Sequence, residues 1–136
     1  MIYFHYEHID FRLENESATT NWLVRTAAKY GKKIGSIHYI FCTDEHILEI
    51  NRTYLSHDYY TDIITFDDGV EGSISGDIFI SVDTVRSNAA QFGTDFMDEI
   101  ARVMVHGVLH LCGQDDHTDA ERAMMRQKED EALSRR

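Results

Sequence analysis

The segment Val103-Met104-Val105-His106-Gly107-Val108-Leu109-His110-Leu111-Cys112 is the longest near-continuous apolar run in the chain, and it is interrupted by two histidines. It is far shorter than the ~18–20 residues that a membrane helix needs. Read as a helix, it puts His106 and His110, four residues apart, on one face and about one turn from each other. An imidazole among apolar neighbours must find partners or cost free energy. Two at this spacing suit a shared zinc ion, with nitrogens about 2.0–2.1 Å from the metal. Gly113 stops the helix and lets the chain fold back. The returning residues Asp115, Asp116 and His117 offer further donors. A third ligand from this return would complete a three-ligand site with one position left for water, the pattern of catalytic zinc. Cys112 lies two residues beyond His110 and so points to another side of the helix, into the core.

The remaining elements follow from periodicity and caps. Residues 2–7 read as a short strand. Ser17 to Tyr30 reads as a helix, with Trp22, Leu23, Ala27 and Tyr30 near helical spacing and Ser17 or Thr19 as its cap. Gly31 ends it, amid lysines that suit its C-terminal dipole. Ser36 to Cys42 alternates like a strand. Thr43-Asp44-Glu45 opens a helix continued by Ile47, Leu48, Ile50 and Tyr54. Asp62–Phe66 and Gly76–Ser81 are β-rich runs joined by a glycine-bearing turn, which predicts a hairpin. Ser81 or Asp83 caps a helix ending at Gly93. Thr94 caps the long helix that reaches Gly113. The last helix carries Ala123, Met124, Lys128 and Ala132 at helical spacing. The expectation is one α+β domain over residues 1–136: a mixed sheet of about four strands with one antiparallel hairpin, packed against about five helices.

Composition narrows the function. The 136 residues are 43% hydrophobic and 27% charged, an ordinary globular balance. Lys and Arg total 13 against 24 Asp and Glu, for a net charge of −11. The excess is one-sided: residues 58–136 hold seven basic and 17 acidic side chains. Such a surface repels phosphate backbones, which argues against indiscriminate nucleic-acid binding. The first residues have neither a basic n-region nor a small-residue cleavage site, so no secretory signal is read there. Cys42 and Cys112 form no CxxC pair, and free thiols in a reducing cytoplasm are the expectation. The glycines Gly69, Gly72 and Gly76 lack a following GK[ST] and are turn glycines, not a phosphate loop.

The motif His106-Gly107-x-Leu109-His110-Leu111-x-Gly113, followed by an acidic and histidine cluster, resembles the signature of the YbeY family of bacterial endoribonucleases. The blocks Asn51-Arg52-Thr53-Tyr54-Leu55-Ser56-His57-Asp58, Thr61-Asp62-Ile63-Ile64-Thr65-Phe66 and Gly76-Asp77-Ile78-Phe79-Ile80-Ser81 extend the resemblance upstream. It implies a metal-dependent, single-strand-specific endoribonuclease in rRNA processing. That covers maturation of the 3′ end of small-subunit rRNA and ribosome quality control. It also implies one Zn²⁺ per chain, ribosomal RNA, the small subunit and its assembly proteins as partners, and no membrane.

Two positions depart from the family pattern. The third histidine is expected three residues after Gly113, where Asp116 stands, and His117 follows one residue later. Spacing favours Asp116 as the third ligand; a one-residue insertion would make it His117. The family arginine is replaced by Leu55, and Arg52, one turn earlier, is the candidate substitute. Gly107 occupies the place of the glutamate base of HExxH peptidases, so the general base is unassigned. Asp115 is the nearest candidate, as base or as a hydrogen-bond partner orienting a ligand. Asp67, Asp68 and Asp77 are weaker candidates, and His57 could line the cleft. A peptidase and a non-catalytic, metal-stabilised assembly factor are the competing functions. Arg25, Lys29, Lys32 and Lys33 cluster around the end of the first helix and predict a local basic strip near the cleft. Affinity for naked RNA should be weak and salt-sensitive.

Overall fold

Alternation organises the sheet. In β2 (Lys33–Cys42), Ile37, Tyr39 and Phe41 are fully buried on one face, while His38 and Ile40 point the other way. The computed structural model describes residues 1–136. In it β2 pairs in parallel with β1 (Ile2–Tyr6) and with β4 (Ser73–Ser81). The antiparallel pair is β4 with β3 (Ile63–Asp67), giving the order β1-β2-β4-β3. β2 starts three residues earlier than its alternation predicts, because its pairing with β4 slips between Ile34 and Ile37 and breaks the pattern there. Between β3 and β4 the Asp67 carboxylate accepts a hydrogen bond from the Gly69 N–H, an Asx turn that closes the hairpin.

Five helices complete the expected α+β architecture: α1 (Glu16–Lys29), α2 (Asp44–Leu55), α3 (Val82–Phe92), α4 (Phe96–Leu111) and α5 (Asp119–Ser134). The central one is α4. Nine of its 16 residues are buried, and it touches α1, α3, α5, β3 and β4. A helix apolar on so many sides is a core helix. On the other face of the sheet, α2 sets Ile47 and Ile50 against Cys42, Ile64, Phe66 and Phe79. No helix is long and apolar enough to cross a membrane.

Glycine sets how closely α4 approaches the sheet. A Cβ on Gly107 would meet Ile78 Cδ1 at 2.8 Å and Ile63 Cδ1 at 3.4 Å. At Gly76 the obstacle is backbone, the Phe66 carbonyl oxygen at 2.2 Å. Two caps differ from expectation. Asn15, not Ser17 or Thr19, caps α1 by accepting from the Ala18 N–H. Asp95 precedes α4 without a side-chain cap bond, and the Thr94 hydroxyl donates instead to Glu99. Ser81 caps α3, and Thr118 forms a capping box with Glu121 at the start of α5.

Candidate metal centre

The face of α4 that carries His106 and His110 does not meet the sheet squarely. It borders a cavity of about 450 Å³. Residues Thr61 to Ile63 and Thr65, at and before β3, form one wall, and Asn88 and Phe92 of α3 another. Arg126 and Glu129 come from α5, and Asp116 from the return after Gly113. Gly113 has φ +105°, a backbone that side-chain-bearing residues rarely adopt, and this turn sends Asp116 back toward the histidines.

Both nitrogens of His106 face carboxylates. Nδ1 lies 2.7 Å from Glu129 Oε2, and Nε2 lies 3.4 Å from Asp116 Oδ2. A carboxylate can only accept, so Nδ1 carries the proton and donates it to Glu129. Glu129 is 6% exposed. Its other oxygen accepts from Arg102 Nη1 at 2.9 Å, while Arg102 Nη2 donates to Asp130 at 2.7 Å. Burial pushes the His106 pKa down, but the Glu129 hydrogen bond and the charges of Glu129, Asp116 and Asp62 outweigh it and raise the net value. Burial likewise raises the carboxyl of Asp62, against the pull of His106. The surroundings of Nε2 therefore favour a positive charge.

A zinc ion fits this donor chemistry. Two ligands of a tetrahedral site with bonds of 2.0–2.1 Å stand about 3.3 Å apart, and His106 Nε2 and Asp116 Oδ2 are 3.4 Å apart. His110 lines the same cavity one turn further along α4. No three His, Cys, Asp or Glu groups stand close enough together to form a ligand set; the pair that does meet is His106 and Asp116.

The other candidates lie elsewhere. His117 and Asp115 are exposed and do not line the cavity, and the His117 carbonyl accepts from Arg122. Arg52 pairs with Asp58 on exposed surface, also off the cavity. Leu55, His57, Asp67, Asp68 and Asp77 are absent from its walls. The basic strip expected beside the cleft is not there. Arg25 and Lys29 line a different groove with Tyr30 and Arg135, and Lys29 pairs with Glu131. The cations of the cleft are Arg102 and Arg126. Cys42 is buried and Cys112 is packed against the main core, both free.

Sequence reasoning missed Glu129 and Arg102. The buried stripe of α5 is Met125, Glu129 and Ala132, not the one through Met124, which is 46% exposed. A glutamate on an otherwise apolar stripe is the signal that could have marked it.

Comparison with known proteins agrees with this architecture. The family model described as "Endoribonuclease YbeY" matches residues 2–136. A protein named Endoribonuclease YbeY from Bacteroides thetaiotaomicron is 57% identical over 87% of this chain and 86% of its own. Its namesake from Parabacteroides distasonis is 51% identical over 98% and 94%. The solution structure of TM1509 from Thermotoga maritima superposes with a TM-score of 0.65 at 24% identity, over 98% of this chain and 87% of that one.

Proposed function

The chain belongs to the endoribonuclease YbeY family, and from that premise we propose that it is a zinc-dependent, single-strand-specific endoribonuclease. Its substrate would be ribosomal RNA, including the 3′ end of small-subunit rRNA, and its place the cytoplasm, with the small subunit and assembly proteins as partners. The observation that carries the reading is that His106, His110 and Asp116 line one cleft, with His106 Nε2 3.4 Å from Asp116 and His106 held from behind by buried Glu129.

His106, His110 and Asp116 would hold the ion. When bound, zinc would acidify a water molecule and offset charge on the scissile phosphate. The protein's own residues do the positioning. Glu129 accepts a hydrogen bond from His106 Nδ1–H, which fixes the tautomer with Nε2 facing the cleft. Arg102 holds Glu129 through its second oxygen. A carboxylate ligand neutralises part of the metal charge, so the bound water should be less acidified than in an all-histidine site. Position 107, the place of the peptidase glutamate, is a glycine packed against Ile78, so no carboxylate base stands there.

The test measures zinc content and RNA cleavage together. Purified wild type should hold about one zinc per chain and cut single-stranded RNA. His110→Ala and Asp116→Ala should lose both metal and activity, and His117→Ala should keep both. Cleavage equal in wild type and His110→Ala would expose a contaminating nuclease and defeat the catalytic reading. Metal loss only in His117→Ala would reverse the ligand assignment. Full rescue of ribosome maturation in cells by the His106→Ala/His110→Ala protein would favour the assembly-factor role.

A further inference from the structure

Phe92 is 66% exposed, yet it stands in the wall of the cleft that holds His106, His110 and Asp116. Asn88, half-buried on the same wall, lies four residues earlier, on the same face of α3. One exposed ring by itself signals nothing, but a ring in the wall of a site offers a flat apolar face to whatever the site binds. The charge of the cleft says which part of a nucleic acid that partner is. Four carboxylates line it, Asp62, Glu99, Asp116 and Glu129, against two guanidiniums, and Arg102 is already engaged by Glu129 and Asp130. Attraction of the phosphate backbone is therefore weak here, and affinity must come from uncharged surface. Only three of the 14 lining residues are hydrophobic, so there is no enclosed apolar socket for a peptide side chain. An open ring with an amide one turn away instead suits a planar base, stacked on one and hydrogen-bonded at its edge by the other.

We propose that Phe92 and Asn88 form a base-binding subsite for single-stranded RNA. The inference rests on the endoribonuclease reading and names how that site takes its substrate. Phe92 stacks on one unpaired base, and Asn88 offers its amide to that base's edge. Arg126, exposed on the cleft and in none of the ion pairs, faces a flanking phosphate. A base in a duplex is already stacked on both sides, so the subsite selects single strands. Phe92 lies at the end of α3, just before the Gly93 cap, and its ring is outside the core, so its replacement leaves the fold intact.

The experiment is direct binding of a short fluorescent single-stranded oligoribonucleotide to the metal-free full chain, followed by anisotropy. Phe92→Ala should weaken binding on the order of tenfold to a hundredfold, with unchanged melting temperature. Phe92→Trp should restore it and Phe92→Leu should not, which separates stacking from apolar packing. Arg126→Ala should lower the salt slope by about one; Phe92→Ala should leave it unchanged. Equal affinity of wild type and Phe92→Ala, equal binding of duplex and single strand, or competition by an unrelated peptide would each overturn the subsite. Cleavage is assayed separately on the zinc-loaded wild type. Phe92-dependent binding without any cleavage would support the subsite while removing the nuclease reading. Cleavage whose KM is the same with and without Phe92 would retain the nuclease and discard the subsite.

Discussion

Glu129 illustrates what one buried carboxylate does when it has two partners. It accepts a hydrogen bond from His106 Nδ1–H with one oxygen and from the Arg102 guanidinium with the other. Glu129→Gln keeps the shape and an acceptor but removes the charge. Zinc affinity should fall about 10- to 100-fold, read by competition with a zinc-chelating dye, with little loss of stability. Glu129→Ala additionally strips Arg102 of one partner and should cost about 1–3 kcal/mol of stability, limited because Asp130 still holds the guanidinium. Unchanged zinc affinity in Glu129→Gln would mean that Glu129 is structural only. His106 and His110 are legible from sequence because both come from one helix at a fixed spacing. Glu129 is not, because it reaches His106 from 23 residues further along the chain.

At the scale of elements, the pairing of α4 with the sheet places the site. Gly107 lets the helix sit directly on Ile78 of β4 and Ile63 of β3. Gly107→Ala should destabilise by about 1–3 kcal/mol through overpacking and tilt the two histidines. The crowding comes mainly from Ile78 Cδ1 at 2.8 Å, the end of a flexible side chain. Ile78→Val removes that atom, so the double variant should be more stable than the sum of the single losses predicts. Thermal melts of the four proteins give the coupling, and strict additivity would show that the Gly107–Ile78 contact is not the constraint. Helices and strands were mostly readable from periodicity. The α1 cap and the buried stripe of α5 were not. Several polar residues near the start of α1 could cap it, and α5 rotates to bring Glu129, not a methionine, beneath His106.

For the whole molecule, charge and burial set two behaviours. The net −11 is not relieved at the cleft by Arg25, Lys29, Lys32 or Lys33, none of which lines it. Burial, with nearby carboxylates adding to it, pushes the Cys42 thiol up to about 12, and burial with the Glu16 hydrogen bond pushes Tyr6 up to about 12. Both groups are held neutral in the fold and ionise more easily when unfolded, where their values are 9.0 and 10.0. Their contribution is complete below pH 9 and is lost as pH rises toward 12. Above about pH 9 the denaturant midpoint should fall; a flat profile from pH 9 to pH 11 would contradict it. Native Cys42 should also resist alkylation near pH 8 and react once the chain is denatured. The sequence by itself determined the elements, the histidine pair, the turn at Gly113 and the family, because each is a local pattern a few residues long. Tertiary structure alone decided that Asp116, and not His117, faces the cleft, that Glu129 and Arg102 lie behind His106, and that Phe92 stands open beside it. Those are meetings between side chains far apart in the chain, and they depend on how α3, α4 and α5 pack, which no local spacing encodes.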